Sequence, residues 1–280
     1  MVKLLRASLR RALKSAVVWL GLLAALACGL MMGLNTRITS ILDDILILPL
    51  YVILAVVISV MVGCEHGEGS IRKMIVSGHT KGAVFLAQWI LYLGYALLIT
   101  VGYLLMFGMA VAGHTGIFPF YALAVSAIGF LLVSLTYADI LVAVAMMIPS
   151  RAVNAVVCIL LVLATVFAVY AIDDALIVGE FIDTETVYPD GRVEFQREKN
   201  PRYVGGFWRD LLIGAKNTIP YGAMIRYTEI VDMYFYPLGK TLRLPREQVT
   251  LLRSLPLYSL ALLFASTAAG YWLFSKKELR

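Results

Sequence analysis

Charged residues are scarce in this chain: 15% of 280 positions, while 61% are hydrophobic. An average soluble domain carries about 25% charged and about 45–50% apolar residues, so an ordinary water-soluble fold is excluded. Cysteine is nearly missing. Cys28, Cys64 and Cys158 lie in or beside apolar runs and the polar segment 173–254 has none, so no disulfide is expected. Histidine is as sparse. His66, His79 and His114 fall in loops on opposite sides of the apolar runs, without metal-ligand spacing such as H-E-x-x-H, and no metal site is expected. The chain has no G-x-x-x-x-G-K-S/T phosphate loop and no G-x-S-x-G elbow, so no bound nucleotide and no catalytic residues are expected in it.

What is present is six long apolar runs, at about Ala16 to Leu34, Ile45 to Gly63, Ala83 to Ala112, Phe118 to Ile148, Ala152 to Ile172 and Leu255 to Phe274. Each can cross a hydrocarbon core of roughly 30 Å as a helix rising about 1.5 Å per residue. In lipid every backbone N–H and C=O needs a partner inside the protein, which leaves helical bundles or closed barrels. Barrel strands alternate and these runs are continuous, so the expected fold is all-α, a single polytopic domain over residues 1–280. The third and fourth runs exceed one span, so each should tilt or project past the membrane surface.

Orientation follows from the basic residues. Lys3, Arg6, Arg10, Arg11 and Lys14 precede the first run; Arg72, Lys73 and Lys81 lie in the second connection, Arg151 in the fourth, and Lys276, Lys277 and Arg280 in the tail. The first connection has only Arg37 and the third has no Lys or Arg. Both termini are therefore expected in the cytoplasm, and the long fifth connection, residues 173–254, outside by parity. The net charge of +6 sits beside membrane ends, where anionic lipid is the nearer partner, and nucleic acid is rejected. The first run also resembles a signal peptide, but it is too long for a usual apolar region and lacks a convincing cleavage site.

Residues 1–15 read as an amphipathic helix lying in the headgroup layer, with Val2, Leu5, Leu9, Ala12 and Leu13 on one face. Gly94, Gly102 and Gly108 read as close-packing positions between helices. Asp139 is the one acidic residue deep in a run, at an insertion cost of at least about 2.5 kcal/mol. Two readings stand for it: a residue facing a polar pathway, or a structural one paired with a hydroxyl such as Thr136 or Tyr137.

Residues 64–82 form the most informative connection. Ile71, Met74 and Ile75 fall at i, i+3 and i+4 while Arg72 and Lys73 turn away, so a short helix with one sticky face is predicted. Gly67 and Gly69 permit a tight turn into it, and Gly78 is a natural stop. A loop that only returns the chain can be much shorter, so a docking surface for a partner is expected here.

The run Glu68-Gly69-Ser70-Ile71-Arg72, then Ser77-Gly78-His79-Thr80-Lys81 and the span starting Ala83-Val84-Phe85, resembles the loop after the second span of type 2 ATP-binding cassette (ABC) permeases. The tail Gly270-Tyr271-Trp272-Leu273-Phe274-Ser275-Lys276-Lys277-Glu278-Leu279 resembles that family's ending. Ser70 replaces the usual Thr and Lys81 a common Arg, keeping hydroxyl and charge. The resemblance implies a bacterial exporter in the plasma membrane, in which this loop is a coupling helix seated on a separate ATPase. It places Glu65, Glu68, Gly69, Ile71, Arg72 and Met74 at that contact. ATP and Mg would then belong to the ATPase subunit, present in two copies, and a second permease chain, identical or related, would complete the path. An amphiphilic cargo such as a peptide, antibiotic or lipid-like molecule fits the apolar surface. The competing classes are a membrane enzyme acting on lipid and an ion-coupled secondary transporter; the former needs convergent polar residues, the latter internal repeats.

Within the fifth connection, Thr184 to Tyr188 and Arg192 to Gln196 flank Pro189-Asp190-Gly191, which predicts a β-hairpin. Residues 203–236 are aromatic and amphipathic, broken at Pro220. In the family this region forms short re-entrant or interfacial helices over the outer mouth. Interfacial anchoring explains Phe207, Trp208, Tyr221, Tyr227, Tyr234 and Tyr236 equally well.

Overall fold

The structure, a computed structural model, describes residues 2–35, 48–115, 120–187, 193–235 and 246–277. Its elements are α1 (Val2–Leu13), α2 (Ala16–Asn35), α3 (Leu48–Gly67), α4 (Ser70–Val76), α5 (Lys81–Thr115), α6 (Phe120–Met147), α7 (Arg151–Ile177), β1 (Phe181–Val187), β2 (Val193–Lys199), α8 (Phe207–Thr218), α9 (Pro220–Phe235) and α10 (Arg246–Lys276). Six of them, α2, α3, α5, α6, α7 and α10, are long and apolar enough to cross a membrane. The chain is an all-α polytopic membrane protein carrying one small hairpin. Three of the helices, α5, α7 and α10, extend past both ends of their apolar runs. The 35 residues of α5 make it about 52 Å long at 1.5 Å per residue. The last turns of α7 take in Asp173 and Asp174, so the polar connection begins after Ile177 rather than at residue 173.

Burial divides the spans into an inner set, α3, α5 and α6, and an outer set, α2, α7 and α10. The outer helices lean on the inner ones: α2 on α5 and α3, α7 on α3, α10 on α6 and α5. The α2–α5 seam rests on Gly29 and Gly33, one helical turn apart. A Cβ at Gly29 would lie 2.4 Å from the Tyr103 carbonyl oxygen, and one at Gly33 2.7 Å from that of Phe107. Backbones so close exclude any larger residue. Of the close-packing set expected from the sequence, Gly102 packs tightly, a Cβ there lying 3.3 Å from the Leu22 and Leu26 side chains of α2, whereas Gly94 faces open space. The spacing G-x-x-x-G from Gly29 to Gly33 was the unused signal.

One end of the bundle gathers Gly63 against Arg151, Gly82 against Tyr271, and the Lys277 ammonium, which donates to the Met146 carbonyl at 3.0 Å. There α1 packs on α5 and α2 through Leu4, Ser8 and Ala12 at i, i+4 and i+8, while Leu9 and Leu13 of the expected apolar face are exposed outside the bundle. Small Ser8 and Ala12 allow the closer approach that the leucines would block.

The opposite end carries the hairpin and the α8–α9 pair. β1 and β2 are antiparallel, with Phe181 opposite Lys199 and Val187 opposite Val193; the predicted turn at 189–191 lies outside the described residues. The break at Pro220 is where expected, since proline suits the first helical position and cannot extend α8. Phe207 and Trp208 at the start of α8 are exposed, whereas Lys216, Asn217, Tyr221, Met224 and Tyr227 around the elbow are buried, where α9 meets α6 and α10. The aromatic set therefore splits between surface and core. The Tyr234 side chain and all of Tyr236 lie outside the described residues.

Candidate functional site

The connection between α3 and α5 is built by its glycines and hydroxyls. Gly69 has φ +65° and both ends α3 and opens α4; its N–H donates to the His66 carbonyl at 3.1 Å, and its own carbonyl accepts from Lys73 N–H at 2.8 Å. A side chain in the left-handed region is strained, which is why glycine stands here. Gly67, expected to share that turn, stays inside α3. At the far end Gly78 has φ +94°; its N–H donates to the Ile75 carbonyl (3.0 Å) and His79 N–H to the Met74 carbonyl (3.3 Å). That pair of bonds is a Schellman stop. Thr80 then caps α5, its Oγ1 accepting from Ala83 N–H at 3.2 Å.

The two faces of α4 have different destinations. Ile71 and Met74 are buried and Ile75 packs on the core, so the sticky face closes onto the chain's own α3 and α5. Arg72, Lys73, Ser77 and Val76, the last 80% exposed, point outward. With Gly69 they ring a shallow hollow of about 400 Å³. This divides the six residues that the resemblance placed at a partner contact. Glu68 and Arg72 are exposed and Gly69 half-buried; Glu65, Ile71 and Met74 are buried within the chain and hold the loop in place. Glu65 turns into the α3–α5 seam facing Gln88 and Tyr92, with Arg11 of α1 within Coulombic reach.

The loop is braced to the last span. Lys81 Nζ donates to the Lys277 carbonyl at 2.7 Å, and Phe85 packs against both Tyr271 and Phe274. Burial pushes the Lys277 pKa below its ordinary value, and its ammonium is held by the Met146 carbonyl. These hydrogen bonds and packed rings join the start of α5 to the end of α10, and the residue after α10 to the end of α6.

Asp139 lies far from this loop, on α6. Its carboxylate accepts from Trp89 Nε1 of α5 at 2.5 Å and from Ser266 and Thr267 of α10, the latter at 2.8 Å. The hydroxyls proposed from the sequence are committed elsewhere: Thr136 donates to the Leu132 and Ser259 carbonyls, and Tyr137 pairs with Thr165. Tyr137, at i−2, points to another side of α6, and Thr136, although at i−3 on the same face, is used by backbone carbonyls, so the partners of Asp139 come from other spans. Asn154, buried on α7, donates to the carbonyls of Ser59 on α3 and Ala145 on α6, each at 3.3 Å. A lone amide in an apolar run was the signal for it.

Sequence reasoning also missed an ionic cluster at the opposite end. Lys216 is 3% exposed and pairs with Asp173 at 2.5 Å and Glu229 at 3.2 Å, while Arg226 reaches Glu229 at 2.8 Å. Among the described residues no group of three or more His, Cys, Asp or Glu side chains is placed to hold a metal ion.

The chain matches no protein-family model and no curated protein.

Proposed function

We propose that this chain is the permease subunit of an ATP-driven exporter of the type 2 ABC class. Both termini and α4 face the cytoplasm of a bacterial cell, and the hairpin with α8 and α9 forms an extracellular insertion. A separate ATPase, in two copies, binds ATP and Mg; a second permease chain completes the path for an amphiphilic cargo.

The observation that carries this reading is the construction of the α3–α5 connection. A rigid seven-residue helix, stopped at both ends by left-handed glycines, is locked by Ile71 and Met74 on one side and presents a cationic face with an exposed valine on the other. Such a stub can receive force, and the Lys81–Lys277 brace passes it to α10. The surface offered to the ATPase is Glu68, Gly69, Arg72, Lys73 and Val76; Glu65, Ile71 and Met74 support it from beneath.

Purification of the tagged chain from its native membrane tests this. An ATPase subunit should co-purify with the wild type and be lost from Arg72→Glu, whose fold is unaffected because the side chain is exposed. Transport by the isolated polypeptide without any ATPase would end the proposal.

A further inference from the structure

At the end of the bundle away from α4, the last turns of α7 and the facing sides of α8 and α9 enclose an open cavity of about 460 Å³. Its polar lining is Asp173, Arg209, Lys216, Arg226 and Glu229, and its apolar lining includes Tyr170, Ile177 and Ile213. The charges do not cancel. Lys216 and Arg226 are matched by Asp173 and Glu229, two against two. Among the described residues Arg209 has no carboxylate partner: its guanidinium donates to the carbonyls of Leu176 (3.0 Å) and Val204 (3.4 Å) and stacks over Tyr203. The Nε of Arg226 is buried without a partner. One surplus positive charge, that of Arg209, thus faces the hollow, with the Arg226 guanidinium beside it.

The position of that hollow narrows what could fill it. Ile177 ends the apolar helix α7, so the cavity lies where a span leaves the hydrocarbon. α8 runs along it with two unlike faces. Arg209, Ile213 and Lys216, at i, i+4 and i+7, look inward, while Phe207, Trp208 and Leu211 are exposed on the other side. An exposed aromatic face at a membrane boundary sits at headgroup level.

We infer that this cavity binds the phosphate headgroup of an anionic membrane lipid, held by the guanidinium groups of Arg209 and Arg226. Arginine matches phosphate oxygens with parallel N–H donors. Asp173 and Glu229 stay paired with Lys216 and Arg226, so a singly charged phosphate diester balances the one surplus charge, and the acyl chains remain in the bilayer beside Ile177. The site depends only on the membrane fold and is independent of the transport reading above.

The test uses the full chain in dodecylmaltoside micelles doped with phosphatidylglycerol or phosphatidylcholine, with bound lipid counted by native mass spectrometry. The wild type should retain phosphatidylglycerol in preference to phosphatidylcholine. Arg209→Gln and Arg226→Gln should each weaken retention about tenfold, as loss of a charge-assisted hydrogen bond does. Exposed Arg202→Gln, outside the cavity, should leave it unchanged. Equal retention of the two lipids, or equal loss from Arg202→Gln, overturns the inference. So does displacement of the lipid by free glycerol phosphate, which would make the site one for soluble phosphate. Should Arg209→Gln fold poorly because α7 loses its end contact, Arg226→Gln decides alone. A photoactivatable phosphatidylglycerol should also label α8 or α9 in the wild type, and labelling confined to other helices sinks the site.

Discussion

Trp89 and Asp139 sit on neighbouring inner helices, and the indole N–H of one donates to the carboxylate of the other at 2.5 Å. Thr267 of α10 donates to the same oxygen, and Ser266 to the second one. A single side chain on α6 thus ties three spans together, which accounts for an acid deep in an apolar run.

That arrangement separates two substitutions. Asp139→Ala should cost roughly 2 kcal/mol, at about 0.6 kcal/mol for each hydrogen bond inside a membrane bundle. Asp139→Asn should be close to neutral. Its oxygen can still serve Trp89 and Thr267, and its amide can donate to Ser266, whose hydroxyl continues to donate to Leu262. Thermal unfolding in detergent measures both. A stable Asp139→Asn protein that no longer transports would assign the charge to the pathway instead.

The α2–α5 seam is tested by a pair of alanines. Gly29→Ala places a methyl 2.4 Å from a backbone oxygen and should destabilise by about 1–3 kcal/mol, as overpacking does. Gly94→Ala meets nothing within 4 Å and should leave stability unchanged or slightly raised. Equal effects in detergent melts would show that the seam is not as described.

Removing the two carboxylates around Lys216 should harm the fold more than removing the lysine. The Asp173→Asn, Glu229→Gln double variant strands a buried ammonium and should lose roughly 3 kcal/mol. Lys216→Met leaves two acids that are 25% and 36% exposed and can turn to water, so its loss should be smaller. The reverse order in melting temperature would refute this account of the cluster.

Orientation is checked with single cysteines placed at Ser77 and Arg202 after Cys28, Cys64 and Cys158 are replaced. An impermeant maleimide should label position 202 in intact cells and position 77 only after lysis. Labelling of position 77 from outside would overturn the cytoplasmic assignment of α4 and the function built on it.

Much of this was legible in one dimension because the constraint is one-dimensional. A helix in lipid must satisfy its own backbone, so apolar run length alone located the six spans, and left-handed turns demanded glycine at 69 and 78. The hairpin and the break at Pro220 follow from equally local rules.

Which surfaces meet was decided only by the folded bundle. The stripe of Ile71 and Met74 was visible, yet whether it faced a partner or the chain's own core depended on where α3 and α5 lay. Likewise the partners of Asp139 stand 50, 127 and 128 residues away, and Lys216 meets Asp173 only because the α8–α9 elbow turns back into the bundle. Inside a membrane every side of a span is apolar, so hydrophobicity reports depth but not direction. Direction comes from shape and from the few polar groups that must find one another.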